Sequence, residues 1–238
     1  MLQIRPEDIE KKSFEIITSR MDKERLKFYS DEELLVVKRT IHTTADFDYQ
    51  HNVIFQNNAV QRLKDCIQSD AMIFTDTNMA LSGINKRILT DKFGIEPACL
   101  IAEKQTVEFA KRNETTRANA AIDLAYQMHE NKQALTGKKI PIVFAVGNAP
   151  TALIRINELL DKYKPDFIIA APVGFVNVIE AKELIKLSVL KNCTQDLKSI
   201  ADEIASCTRS DVVQVIGRKI ILYKQADEPK NRKIILPD

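Results

Sequence analysis

The sequence predicts an α/β fold with a mainly parallel central sheet and helices on both of its faces. Two observations carry this. The chain contains short, continuous apolar runs rich in β-branched residues, and the stretches between them show helical periodicity. Short runs of that kind are strands buried on both sides, which is the signature of a parallel sheet. Candidate strands span residues 52–55, 71–75, 98–102, 140–146, 166–171 and 212–216. Val60, Leu63 and Ile67 mark one intervening helix, and Leu153, Ile156 and Leu160 another. Leu197, Ile200, Ala201 and Ile204 repeat the same spacing. No internal repeat or low-complexity linker interrupts the alternation, so residues 1–238 read as one domain. Residues 224–238 mix both charges around Ile234, Ile235 and Leu236, and read as a solvated tail or an edge strand.

Before the first strand, Ser30-Asp31-Glu32-Glu33 has the pattern of a capping box. Leu34, Val37 and Ile41 then supply one apolar helical face. That helix runs into Arg39-Thr40-Ile41-His42-Thr43-Thr44-Ala45-Asp46. His42 therefore sits near a helix C-terminus, where the macrodipole favours a cationic imidazolium. Such a histidine is a candidate proton donor. Arg39 lies one turn earlier, so the two side chains share a side.

Composition excludes several classes. Apolar residues make up 45% of the 238 positions and charged residues 29%, as in ordinary globular proteins. Lysine and arginine number 35 against 33 acids, so no global basic field points to nucleic acid. No apolar run is long enough for a membrane span and the amino terminus is charged, which makes cytoplasmic the default location. Cys66, Cys99, Cys193 and Cys207 are scattered, and His42, His51 and His129 lack ligand spacing, so no metal site is expected. His51 precedes a candidate strand, and His129 falls in the expected last turn of a helix that starts at Arg117.

In parallel sheets, ligands bind at the carboxyl ends of strands. Two strand-to-helix turns fall there: Val146-Gly147-Asn148-Ala149-Pro150-Thr151-Ala152 and Pro172-Val173-Gly174-Phe175-Val176-Asn177. In the first, glycine permits close backbone approach, asparagine suits the cap and proline the first helical turn. The amides freed at such a helix start can receive a carboxylate or phosphate. In the second, Phe175 either faces a ligand or fills the core.

Taken in order, these segments resemble the precorrin-8X methylmutase (precorrin isomerase) family of corrin biosynthesis. Ile9-Glu10-Lys11-Lys12-Ser13-Phe14 is similar to its I-E-x-x-S-F segment. Arg39 to Phe47 is similar to R-x-I-H-x-T/S followed by G-D-F, with Ala45 at the glycine. Thr75-Asp76-Thr77-Asn78-Met79 resembles the D-V-x-M loop and Thr116-Arg117-Ala118 the T-R-A segment. The two turns above match V-G-N-A-P-T-A and P-V-G-F-V.

The resemblance implies a flavodoxin-like three-layer sandwich and a homodimer. The reaction it implies moves a methyl group from carbon C11 to C12 of a tetrapyrrole, without cofactor or methyl donor. A general acid protonating the ring C nitrogen would make the carbon framework electron-poor and promote the shift. His42 is the candidate acid. The polycarboxylate substrate calls for arginine forks, hydrogen-bond donors and an apolar wall. Ser13, Arg39, Thr43, Thr44, Arg117, Asn148 and Gly174 are the candidate substrate-binding residues, and Asp46 either orients His42 or caps the next turn.

The family pattern ends in G-R-K-G-G-S, whereas Gly217-Arg218-Lys219 is followed here by Ile220-Ile221-Leu222-Tyr223. That departure keeps a second class open, a corrinoid-intermediate binder without turnover. A flavin- or nucleotide-binding domain is the third, and it lacks support from any G-x-G-x-x-G or Walker motif.

Overall fold

The computed structural model of the protein describes residues 5–191. The chain opens with helices α1 (Pro6–Arg20), α2 (Lys23–Phe28), α3 (Asp31–Thr44), α4 (Tyr49–Asn52) and α5 (Ala59–Gln68). Strand β1 (Met72–Thr75) leads into α6 (Asn78–Gly83) and α7 (Lys86–Phe93), and the short β2 (Ala98–Cys99) into α8 (Lys104–Arg112) and α9 (Arg117–Thr136). Then follow β3 (Ile142–Val146), α10 (Pro150–Glu158), β4 (Phe167–Ala170) and α11 (Val178–Lys191). The four strands form one parallel sheet in the order β2-β1-β3-β4.

Alternation along the strands divides the core into two halves. Phe74, Ile142, Phe144, Val146, Ile168 and Ala170 pack with α9, α10 and α11. Ile73, Val143 and Phe167 point the other way, onto Ile17 of α1, Val37 and Ile41 of α3, and Ala59 and Cys66 of α5. This is the three-layer α/β sandwich expected from the sequence. Its strand order reverses between β1 and β3, the topological switch point of flavodoxin-like sheets.

Helix α3 forms as its sequence dictates. The Ser30 amide donates to Glu33 Oε2 at 3.0 Å, and the Glu33 amide donates to Ser30 Oγ at 3.3 Å, closing the capping box. Val37 and Ile41 are fully buried. The helix ends at Ala45, which takes the left-handed conformation (φ 55°, ψ 22°) while its amide donates to Ile41 O at 2.8 Å. A left-handed C-terminal residue is usually glycine, because a Cβ is strained there.

Several expectations are corrected. Residues 52–55 are not a strand: Asn52 ends α4, and Val53 and Phe55 are buried in irregular chain. The Tyr29 hydroxyl donates to Gln50 O at 2.9 Å and Val53 O at 3.1 Å, so the Val53 carbonyl has a side-chain partner instead of a neighbouring strand. Burial pushes that hydroxyl up to about 12. The strand expected over 98–102 is confined to two residues, because the chain turns at Ile101-Ala102. His51 lies within α4 rather than before a strand. His129 is not in the last turn of α9, which continues to Thr136; its Nε2 lies 2.7 Å from Ile140 O and ties α9 to the approach of β3.

Cys66 is buried and its thiol is pushed up to about 11, chiefly by that burial, as for an inert core cysteine. Cys99 is a half-buried free thiol. No helix among the described residues is long and apolar enough to cross a membrane. The 212–216 strand, the 197–204 helix, the 224–238 tail, the segment after Gly217, Cys193 and Cys207 lie outside the described residues.

Candidate functional site

The two amino-terminal motifs meet each other. Helix α1 packs on α3, and residues 29 apart in sequence pair across the boundary. Ser13 Oγ lies 2.7 Å from His42 Nδ1. Arg39 donates from Nη1 to Glu10 Oε2 at 3.0 Å and from Nη2 to Glu10 Oε1 at 2.5 Å. Phe14 completes the junction, with its ring edge-on to His42 (centroids 6.0 Å apart) and the Arg39 guanidinium 5.3 Å from its centroid. Glu10, Ser13 and Phe14 of one motif thus fix Arg39 and His42 of the other.

A pocket of about 420 Å³ opens beside this junction. One face of α1 lines it with Ile9, Lys12, Ser13, Ile16, Ile17 and Arg20; Ile41, His42, Ala45 and Phe47 supply the opposite wall. The α1 residues follow the i, i+3, i+4 rhythm of a single helical stripe. Its volume falls within the usual range for small-molecule sites, about 300–1,000 Å³.

The Ser13 contact has a chemical consequence. An imidazolium at His42 donates Nδ1–H to Ser13 and keeps Nε2–H for another acceptor. Loss of the Nε2 proton leaves the Nδ1–H tautomer with the same serine contact, so a proton can pass through Nε2 without reorganising the ring.

Thr43 and Thr44 sit on the last turn of α3, where their hydroxyls donate to Arg39 O at 2.9 Å and Thr40 O at 2.8 Å. Thr44 Oγ1 also accepts from the Asp46 amide at 3.3 Å. Asp46 Oδ1 accepts from the Asp48 amide at 2.9 Å, which is the turn-capping alternative read from the sequence.

Of the candidate substrate-binding residues, Ser13 alone lines the α1–α3 pocket among the described residues; Arg39, Thr43 and Thr44 lie on α3 outside its lining, and Arg117, Asn148 and Gly174 are positioned elsewhere. Arg117 is the first residue of α9, exposed and without an ion pair among the described residues. Thr116 Oγ1, which caps that helix, lies 3.4 Å from Thr151 Oγ1 in the first turn of α10, so the starts of the two helices are adjacent. Gly174 has φ 136° in the turn between β4 and α11, and Phe175 beside it is fully exposed rather than in the core.

The turn after β3 corrects one expectation. Its amides do not wait for a ligand anion, because Asp76 occupies them. Asp76 Oδ1 accepts from Gly147 at 2.9 Å, and Oδ2 accepts from Asn148 at 2.8 Å and Ala149 at 2.5 Å. This carboxylate, 3% exposed at the end of β1, fills the switch-point crevice from within the chain. Ala149 rather than Asn148 is the N-cap of α10, with no side-chain cap. A Cβ on Gly147 would lie 3.3 Å from Ala80 Cβ, so the close approach this glycine permits is to α6.

Glu10, Lys12 and Phe14 fall within a sequence motif that assigns them no role, and Arg20 lies outside every motif. Only the stripe spacing along α1 signalled them.

Comparisons with known proteins identify the family. The Precorrin-8X methylmutase family model matches residues 8–200. Cobalt-precorrin-8 methylmutase of Salmonella typhimurium is 39% identical over 180 residues, covering 75% of this chain and 80% of that protein. The enzyme of the same name from Priestia megaterium is 37% identical over 191 residues, 79% of each. The solved precorrin-8X methylmutase of Thermus thermophilus superposes with a TM-score of 0.63 at 35% identity, covering 76% of this chain and 82% of its own. The chain belongs to the precorrin-8X methylmutase family, whose members are isomerases of cobalamin biosynthesis that shift a methyl group within one molecule.

Proposed function

We propose that this protein moves a methyl group from C11 to C12 of a corrin precursor, precorrin-8X or cobalt-precorrin-8, giving hydrogenobyrinate or cobyrinate. Substrate and product are isomers. The C11–methyl bond breaks as the C12–methyl bond forms, and no atom is gained or lost. Cobalt, where the ring carries it, belongs to the substrate. The chain's own task is to bind the ring, hold it in register and polarise it.

His42 carries this reading. Its Nδ1 is held by Ser13, its ring is braced by Phe14, and it lines a pocket wide enough for part of a macrocycle. From Nε2 the imidazolium protonates the ring C nitrogen, draws electron density from the conjugated carbons and lowers the barrier to migration. Positioned acid catalysis of this kind contributes about 10²- to 10⁴-fold. Proton return to Nε2 closes the cycle.

Ser13, Arg39, Thr43, Thr44, Arg117, Asn148 and Gly174 contact the substrate in this account. Arg39 keeps three N–H donors beyond those spent on Glu10. Arg117 offers a guanidinium without an ion pair among the described residues, at a helix start where a cation opposes the dipole unless an anion joins it. The protein acts as a homodimer in the cytoplasm. A pocket of about 420 Å³ is small for a macrocycle with all its side chains, and the exposed Val173, Phe175 and Val176 give a second subunit apolar surface to cover.

Incubating the purified protein with metal-free and with cobalt-containing substrate, then identifying products by absorbance and mass, tests the reading. A new chromophore at unchanged mass supports it. Tight product binding without conversion of either substrate favours the binding-protein alternative.

A further inference from the structure

The α1 stripe facing the pocket carries two cations, Lys12 and Arg20, eight residues apart and so about 12 Å apart along the helix. Both are exposed, and neither has an ion pair among the described residues. Arg39 is in a different state, because both terminal nitrogens of its guanidinium are engaged by Glu10. Between Lys12 and Arg20 the same stripe presents Ile16, an isoleucine left 43% exposed. Two uncompensated positive charges flanking an open apolar surface suit a ligand with an apolar body and anionic edges.

We propose that Lys12 and Arg20 are specificity-determining residues, each gripping a carboxylate on a different edge of the tetrapyrrole while Ile16 lies against the ring between them. This rests on the corrin-precursor reading above and assigns the charge recognition within it. Arg39, tied to Glu10, meets the substrate only through its remaining N–H donors, and the unpaired charge lining the pocket comes from α1. Two grips at a fixed spacing set the rotation of the ring in the pocket, and hence which pyrrole nitrogen meets His42.

The test measures binding of hydrogenobyrinic acid and of its fully methyl-esterified derivative to wild type, Lys12→Gln, Arg20→Gln and the double variant. Both side chains are exposed, and circular dichroism verifies that each variant folds. Each single change is expected to weaken acid binding roughly tenfold and the double change roughly a hundredfold, the loss of one and two charge-assisted contacts. Ester affinity should stay level across the four proteins. Wild type that binds the acid, with variants within twofold of it, overturns the assignment and leaves the corrin-precursor reading standing. Equal losses for acid and ester also overturn it, since charge is then not what the two residues read. Wild type that binds neither form overturns the reading itself and the assignment with it.

Discussion

Ser13 Oγ and His42 Nδ1 lie 2.7 Å apart, across the boundary between α1 and α3 and 29 residues apart in sequence. The contact fixes which imidazole nitrogen is left for the substrate. Replacing Ser13 with alanine frees the ring to rotate and removes one hydrogen bond, worth about 1–1.5 kcal/mol. Turnover is expected to fall roughly tenfold in Ser13→Ala, with product affinity changed less. Single-turnover rates beside equilibrium titrations measure both, and an unaltered rate would show that the serine does not position the histidine.

Arg39→Ala and Arg117→Ala are each expected to weaken product binding by roughly 1.5–3 kcal/mol, the loss of a charge-assisted contact in a partly desolvated site. The Arg39–Glu10 bridge is half-exposed, with side chains 57% and 50% accessible, so it adds at most about 1 kcal/mol to stability. Calorimetric titration of the folded variants separates the two effects. Unchanged affinity in both would return these arginines to surface charge.

Ala45 terminates α3 at φ 55° and also lines the pocket. Glycine relieves about 1–2 kcal/mol of left-handed strain, and its extra freedom in the unfolded chain offsets about half of that. Ala45→Gly should therefore leave stability unchanged or raise it by up to about 1 kcal/mol. The same exchange in a helix interior costs about 1 kcal/mol. Urea denaturation showing a loss of that size would contradict the left-handed assignment.

Asp76 accepts three backbone amides with almost no access to water. In Asp76→Asn the charge disappears, and the side-chain NH₂ opposes amide donors. Stability should drop by about 2–3 kcal/mol, visible as a lowered denaturation midpoint. A midpoint within error of wild type would mean that these amides are satisfied in another way.

Features set by local sequence were legible in advance. The Ser30–Glu33 capping box and the Leu34, Val37, Ile41 spacing define α3 without tertiary help, and β1, β3 and β4 follow from continuous apolar runs. Residues 52–55 show the limit of that logic, since an apolar run packs equally well as irregular chain when a side chain such as Tyr29 satisfies its carbonyl. Asp76 shows a second limit. Its partners lie 71 to 73 residues away, so the turn after Val146 has the pattern of an anion site while holding an anion of the chain's own. His42 and Ser13 stood out through their motifs, but their contact depends on how α1 docks on α3. Lys12 and Arg20 were obscured because a stripe mixing isoleucine, serine and cations looks only weakly amphipathic.

In the proposed reaction, His42 supplies the proton. His42→Asn keeps a polar side chain of similar reach and removes the titratable group. The decisive measurement is the turnover of folded His42→Asn beside its affinity for product. The acid role predicts a fall of about two or more orders of magnitude in turnover with binding largely retained. Near-normal turnover in the folded variant would contradict it.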